Sequence, residues 1–218
     1  MARPARRSGG LRWSDLEREL QRAHGPLLAA VDEVGRGPLA GPVVVCALVM
    51  PPDAPEVPGV DDSKKLAPDA RDRVAAQVRA AALGCALGAA SAREVDRHNV
   101  YGATVLAMRR ALARLAGPLT AGGLGRAPDH VLVDGKPVRT LGVPHTAVVG
   151  GDARCYAVAC ASVVAKVTRD RLMTALARRH GGYAWDRNVG YPTPAHREAV
   201  AALGPTPHHR RTFLRGGP

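Results

Sequence analysis

Aromatic side chains are scarce: they make up 3% of 218 residues, with a single phenylalanine. A core must therefore be filled by Ala, Val and Leu, and the 46% hydrophobic content is enough for a globular chain rather than a disordered one. Cysteine is also thin. Cys46, Cys85, Cys155 and Cys160 form no C-x-x-C pair, which argues against a zinc site and suits buried thiols of a reduced, cytoplasmic protein. No apolar run approaches the roughly 20 residues of a membrane-spanning helix. Arg3, Arg6, Arg7 and Arg12 precede no apolar signal core, so neither export nor a membrane partner is indicated. Acids are the last shortage. Nineteen Asp and Glu face 31 Lys and Arg, giving a formal net charge of +12 and a pI of about 10.5. This balance favours an anionic polymer as partner, nucleic acid first, although an arginine-rich surface without function gives the same sum.

Because acids are few, their placement is informative. The apolar run Leu27 to Val31 ends on Asp32-Glu33, followed by Val34-Gly35-Arg36-Gly37-Pro38-Leu39-Ala40-Gly41-Pro42 and a second apolar run, Val43 to Met50. This predicts strand, acidic strand end, glycine-rich loop, strand. Side chains alternate along a strand. Either the strand breaks near Asp32, or Glu33 reaches the same place differently, for instance through its backbone carbonyl. Acids beside close-approaching backbone suit a cation next to a phosphate or sugar, while an acidic hairpin with a rigid turn is the plainer alternative. Pro38, Pro42 and the strand after the loop exclude a dinucleotide fingerprint. Two further apolar strands end on acids: Val131-Leu132-Val133-Asp134-Gly135, and Thr146 to Val149 followed by Gly150-Gly151-Asp152. Each aspartate alone reads as a turn former or cap. Three such endings together point to a site at strand ends.

The remainder predicts helices. Ser14 caps one within residues 13–24; Pro68 opens another behind Ala67, a poor cap; Val100 to Ala116 and Tyr156 to Arg179 keep helical periods; Ala195 to Leu203 forms the last. Cys85 to Ala90 is a weak strand candidate, and Gly117 to Pro128 a glycine-rich loop. The first half of Tyr156 to Arg179 is apolar nearly all round and should be buried; Asp170 in its second half should pair with a neighbouring base. Residues 1–12 read as a mobile basic tail, and residues 13–218 as one domain. Tyr183 to Thr193 is read as a loop, and His208-His209-Arg210-Arg211 as a basic cluster whose adjacent histidines suit a metal or, as the plainer alternative, a solvated or phosphate-facing pair.

In order and spacing, these stretches resemble bacterial ribonuclease HII, the type 2 ribonuclease H family, from about Leu28 to Phe213. The matching motifs are Asp32 to Gly37 with Leu39 to Val43, Asp62-Ser63-Lys64-Lys65-Leu66, Val133-Asp134-Gly135, Gly151-Asp152, Ala161 to Arg171, Gly190-Tyr191 with His196, and His209-Arg210 with Thr212-Phe213. The resemblance implies an α/β fold: a ribonuclease-H-like mixed β-sheet flanked by helices, with a helical C-terminal part from about residue 155 to 218. It implies an endonuclease that cuts the RNA strand of RNA–DNA hybrids and cuts 5′ of single ribonucleotides in duplex DNA, leaving 3′-hydroxyl and 5′-phosphate ends. The expected partners are such hybrids or ribonucleotide-containing duplexes, and the expected assembly is a monomer. Asp32, Glu33, Asp134 and Asp152 take the positions of the catalytic and metal-binding acids, holding two Mg²⁺ or Mn²⁺ ions. Gly35, Arg36 and Gly37 take the positions that read the 2′-hydroxyl through backbone, and Tyr191 the one that stacks on the adjoining deoxyribose. Lys64 and Lys166 are candidate phosphate or site contacts. Arg154, Cys155, Val189 and Pro192 depart from the usual residues. Two other readings remain at this stage: a non-catalytic nucleic-acid binder using the basic surface, and a nuclease of the same fold acting on DNA branches.

Overall fold

The structure, a computed structural model, describes residues 10–52, 54–63, 66–121 and 125–214. Five strands form one mixed sheet in the order β3-β2-β1-β4-β5. They are β1 (Leu28–Val34), β2 (Val43–Val49), β3 (Gly84–Ala90), β4 (His130–Asp134) and β5 (His145–Val148). Central β1 runs antiparallel to β2, with Asp32 opposite Cys46, and parallel to β4, with Val31 beside Val133. Both faces of the sheet are covered, which is why β2 is apolar and buried along its whole length.

Alternation sorts β1 between two cores. Leu28 and Ala30, with Leu132 and Val148, pack against helices α1 (Asp15–His24), α2 (Pro68–Ala81) and the first half of α4 (Tyr156–Arg179). Ala29 and Val31, with Val131 and Val133, pack against Ala103, Ala107, Ala111 and Leu115 of α3 (Ala92–Ala121). Small residues let α3 approach β3 closely: a Cβ at Gly88 would stand 2.0 Å from the Ala107 carbonyl oxygen. The α4 boundaries are those its periodicity predicts.

Several elements differ from the sequence expectation. Helix α3 begins eight residues before Val100, where Ser91 and Glu94 cap one another's amides. It is two helices joined at Asn99, whose φ is 54° and whose side chain accepts from the amides of Tyr101 and Gly102 to restart the helix. It also runs past Gly117 to Ala121, because Leu119 is wholly buried. The expected loop from Tyr183 to Thr193 contains a short helix, α5 (Trp185–Asn188), before α6 (Pro194–Leu203); α7 (Arg211–Leu214) follows. His209 and Arg210 are buried rather than solvated. Cys46, Cys155 and Cys160 are buried free thiols, whereas Cys85 is partly exposed. Residues 1–9 of the expected tail lie outside the described residues, and Leu11 is held to the fold by donating to the Val60 carbonyl at 2.7 Å. Among the described residues no helix is long and apolar enough to cross a membrane.

One local device reaches across the fold. Ser14 and Glu17 form the capping box of α1. The Glu17 carboxylate is fully buried and also accepts from the Tyr156 amide at 3.0 Å and the Ala157 amide at 2.8 Å. The N-cap of α4, Cys155, offers no side-chain bond, so Glu17 supplies the cap from another helix. Glu17→Gln removes the charge from this arrangement and should lower the unfolding free energy by about 1–3 kcal/mol. Denaturant titration tests this, and an unmoved midpoint would refute the cross-helix cap.

Candidate active site

The acids gather at the C-terminal ends of parallel β1 and β4. Pairing of Ala30 with Leu132 sets Asp32 and Asp134 two residues further along neighbouring strands, on the α4 side of the sheet. Strand β1 does not break at Asp32: its ladder with β2 continues to Val34 opposite Val44. Its pairing with β4 ends at Val31. Glu33 thus starts from the other face, yet its carboxylate feels the Asp134 charge. Asp134 is the common neighbour, because its charge acts on Asp32 and Glu33 and is itself raised by Asp152. Asp152 lies in the 3-10 turn Gly151–Ala153 after β5, and the Gly151 amide donates to Asp134 at 2.6 Å.

The electrostatics are those of crowded carboxylates. Burial, then the charges of Glu33 and Asp134, push the Asp32 pKa well above its ordinary range, and a hydrogen bond from Ser162 on α4 opposes the rise. Burial also raises Glu33, against the pull of Arg36, and raises Asp134, against the amide of Gly151. Arg36 reaches Glu33 Oε1 at 3.3 Å. Glu33 Oε2 is buried without a hydrogen-bond partner among the described residues. Among the described residues, no three His, Cys, Asp or Glu side chains stand arranged as a ready metal cage. The donor set nevertheless suits a hard divalent cation: oxygen ligands only, mutually repelling, one of them buried and unpartnered.

The loop beyond the acids is held by two buried arginines. Arg169 of α4 donates to the carbonyls of Pro42 (3.0 Å), Val189 (2.9 Å) and Ala40 (3.1 Å). Arg210 donates to those of Gly35 (2.5 Å), Arg36 (2.8 Å) and Gly41 (3.1 and 2.9 Å). Gly35 has φ +90°, and a Cβ there would meet Arg169 Nε at 2.1 Å. Tyr191 is 40% exposed and lies over the same loop, since a Cβ on Gly37 would stand 3.6 Å from Tyr191 Cε1. The structure therefore brings Gly35, Arg36, Gly37 and Tyr191 together. Lys166 is one turn beyond Ser162 and pairs with Asp170 at 2.7 Å, as Asp170 was expected to pair. Lys64 lies outside the described residues.

Sequence reasoning gave no role to Glu17, and none to Arg169, His196, His209 or Arg210 beyond their places in the matched motifs. The signal for Arg169 was present: Ala165, Arg169 and Met173 follow at four-residue steps on one buried stripe. His209 and Arg210 carry no local signal, because their burial depends on the distant loop at Leu39–Gly41.

A mixed sheet of this order, flanked by helices and ending in acids at its middle strands, defines a ribonuclease-H-like protein. A solved ribonuclease H2 from Pyrococcus horikoshii superposes with a TM-score of 0.70 at 27% identity, over 86% of this chain and 95% of that one. A ribonuclease HIII, Bst-RNase HIII, solved in complex with Mn²⁺, shares the fold at a TM-score of 0.62 and 20% identity, over 88% of this chain and 66% of that one. The family described as Ribonuclease HII matches residues 29–216. The ribonuclease HII of Granulibacter bethesdensis is 50% identical over 198 residues, 89% of this chain and 86% of that protein. The chain belongs to the ribonuclease HII family, enzymes that cleave the RNA of RNA–DNA hybrids.

The raised acid pKa has a sign that can be measured. Because the folded pKa of Asp32 lies above its ordinary value, ionising it opposes folding. In the metal-free protein the Asp32 contribution to stability is therefore greatest at low pH and is lost as pH rises through the folded pKa. Asp32→Asn should melt above wild type at pH 8 in chelator, with the advantage shrinking toward pH 4. An advantage that grows on acidification would contradict the burial argument.

Proposed function

We propose that this ribonuclease H nicks duplex DNA 5′ of single embedded ribonucleotides as well as cutting longer hybrids, leaving 3′-hydroxyl and 5′-phosphate ends, with two divalent ions held by Asp32, Glu33, Asp134 and Asp152. The observation that carries this is the meeting of two features at one end of the sheet: carboxylates that repel one another, and the backbone loop Gly35-Arg36-Gly37 under an exposed tyrosine. Bound Mg²⁺ or Mn²⁺ would activate water and relieve charge on the departing oxygen, as in two-metal nucleases. Asp32 and Asp134 are the central ligands, and Glu33 and Asp152 complete the set. The Glu33 amide, 2.7 Å from Asp32 Oδ1, fixes the orientation of Asp32, and the Gly151 amide that of Asp134.

Selectivity comes from the 2′-hydroxyl, which alone separates ribose from deoxyribose at one position. Gly35, Arg36 and Gly37 read it through backbone, and Tyr191 packs on the next sugar. Pro192 departs from the usual glycine: it removes an amide donor beside Tyr191 and biases Tyr191 toward extended backbone. Lys166 and Lys64 serve phosphates, Lys166 exchanging its Asp170 partner for the substrate. Residues 13–218 act as one catalytic domain of a monomer, in the cytoplasm.

With Mg²⁺ or Mn²⁺, a duplex carrying one ribonucleotide should be nicked and the all-DNA control left intact. Asp134→Asn should reduce turnover by at least about 1,000-fold, a loss of about 4 kcal/mol of transition-state stabilisation, while still binding the duplex. Ordinary turnover by Asp134→Asn would remove the carboxylate assignment, and equal cutting of both duplexes would remove the selectivity.

A further inference from the structure

Arg210 is fully buried and forms no ion pair among the described residues. Its donors go to backbone carbonyls, two of which belong to consecutive residues, Gly35 and Arg36. All peptide bonds here are trans. In a trans planar peptide the carbonyl and the following N–H point in opposite directions. Turning the Gly35 and Arg36 carbonyls toward Arg210 therefore turns the N–H groups of Arg36 and Gly37 away from it. Neither amide has an acceptor among the described residues, and Gly37 lies beside Tyr191.

We propose that Arg210 is a positioning residue for ribose recognition: its fork of donors holds two carbonyls inward and so presents the Arg36 and Gly37 amides, next to Tyr191, to the 2′-hydroxyl. This rests on the reading that the loop recognises ribose. The segment carrying Arg210 is itself tied at both ends. The Arg210 amide donates to the Leu39 carbonyl at 2.8 Å, and the Gly41 amide to the His208 carbonyl at 2.9 Å. Beyond it, Asp96 of α3 accepts from the amides of Arg211 (3.0 Å) and Thr212 (2.9 Å) and from the Thr212 hydroxyl (2.6 Å). A lysine at 210 keeps the charge but cannot span three carbonyls, since an ammonium lacks the planar fork of a guanidinium.

The test is nicking kinetics of wild type, Arg210→Lys and Asp96→Asn on duplexes that differ in one sugar, ribose or deoxyribose. Arg210→Lys should lower the ribose-over-deoxyribose ratio in kcat/KM by about 10- to 100-fold, the scale of losing a hydrogen bond to a substrate hydroxyl. Its affinity for the all-DNA duplex should stay within about twofold of wild type, because the phosphate contacts are untouched. Asp96→Asn, which loosens only the part-exposed end of the segment, should lower the same ratio by a smaller factor with the fold retained. A ratio unchanged in Arg210→Lys, or a loss equal for ribose and deoxyribose, overturns the assignment. Should Arg210→Lys fail to fold, an unchanged ratio in Asp96→Asn overturns it. If wild type cuts both sugars alike, the ribose reading itself fails; if wild type discriminates and both variants discriminate equally, only the role of Arg210 falls.

Discussion

Two guanidinium groups with no ion-pair partner among the described residues are buried beneath the glycine loop, and the local architecture depends on them. A buried charge costs several kcal/mol unless its donors are satisfied. Arg169 and Arg210 are satisfied by carbonyls of Gly35, Arg36, Ala40, Gly41, Pro42 and Val189. The loop curls because these carbonyls must converge on two cations. The partners are more than 120 residues apart along the chain except for Val189, so the same bonds join the β1–β2 loop to α4 and to the C-terminal segment. Burial pushes Arg210 down to about 10, so its fork stays protonated and the clamp survives at neutral pH.

Both buried guanidinium groups are directed at carbonyls rather than at the site acids. Burial and neighbouring acids dominate the raised pKa of Asp32, and burial leads for Glu33 and Asp134, while Arg36 draws Glu33 back down. A chain of net charge +12 keeps a small anionic patch at the end of its sheet. The charge excess suits the phosphate backbone, and the patch would weaken that attraction unless divalent ions filled it. Surface and site thus have opposite electrostatic tasks.

What could be read in advance follows the same division. Asp32, Asp134 and Asp152 were legible because an apolar run ending on an acid is a local pattern, and α4 because its period is long and uninterrupted. Glu33 was half legible. Alternation places it on the face opposite Asp32, and its coupling to Asp134 beyond the end of the β4 pairing is not a local pattern. The clamp was not legible. Arg210 sits in a polar cluster that composition alone assigns to solvent, and its burial is decided by a loop some 170 residues earlier. The extent of α3 failed for a related reason: Asn99 stops one helix and caps the next, and Leu119 holds the end despite Gly117.

The histidines complete the unit that carries Tyr191. Trp185 Nε1 donates to His196 Nε2 at 2.9 Å, which leaves the His196 proton on Nδ1, facing the Tyr191 carbonyl at 2.8 Å. His209 Nε2, 3.1 Å from His196 Nε2, must then be the donor, and its Nδ1 accepts from the Thr206 amide at 2.9 Å. Every proton has a place only while both rings are neutral. Burial, with the neighbouring histidines, pushes His209 down to about 4 and so keeps that ring uncharged at neutral pH. The Gly190 carbonyl accepts in turn from the amides of Leu39 and Ala40. The exposed tyrosine and the glycine loop therefore cannot shift independently. On the proposed reading, the two surfaces that would touch neighbouring sugars belong to one rigid body, and their spacing is set by protein hydrogen bonds before any duplex arrives.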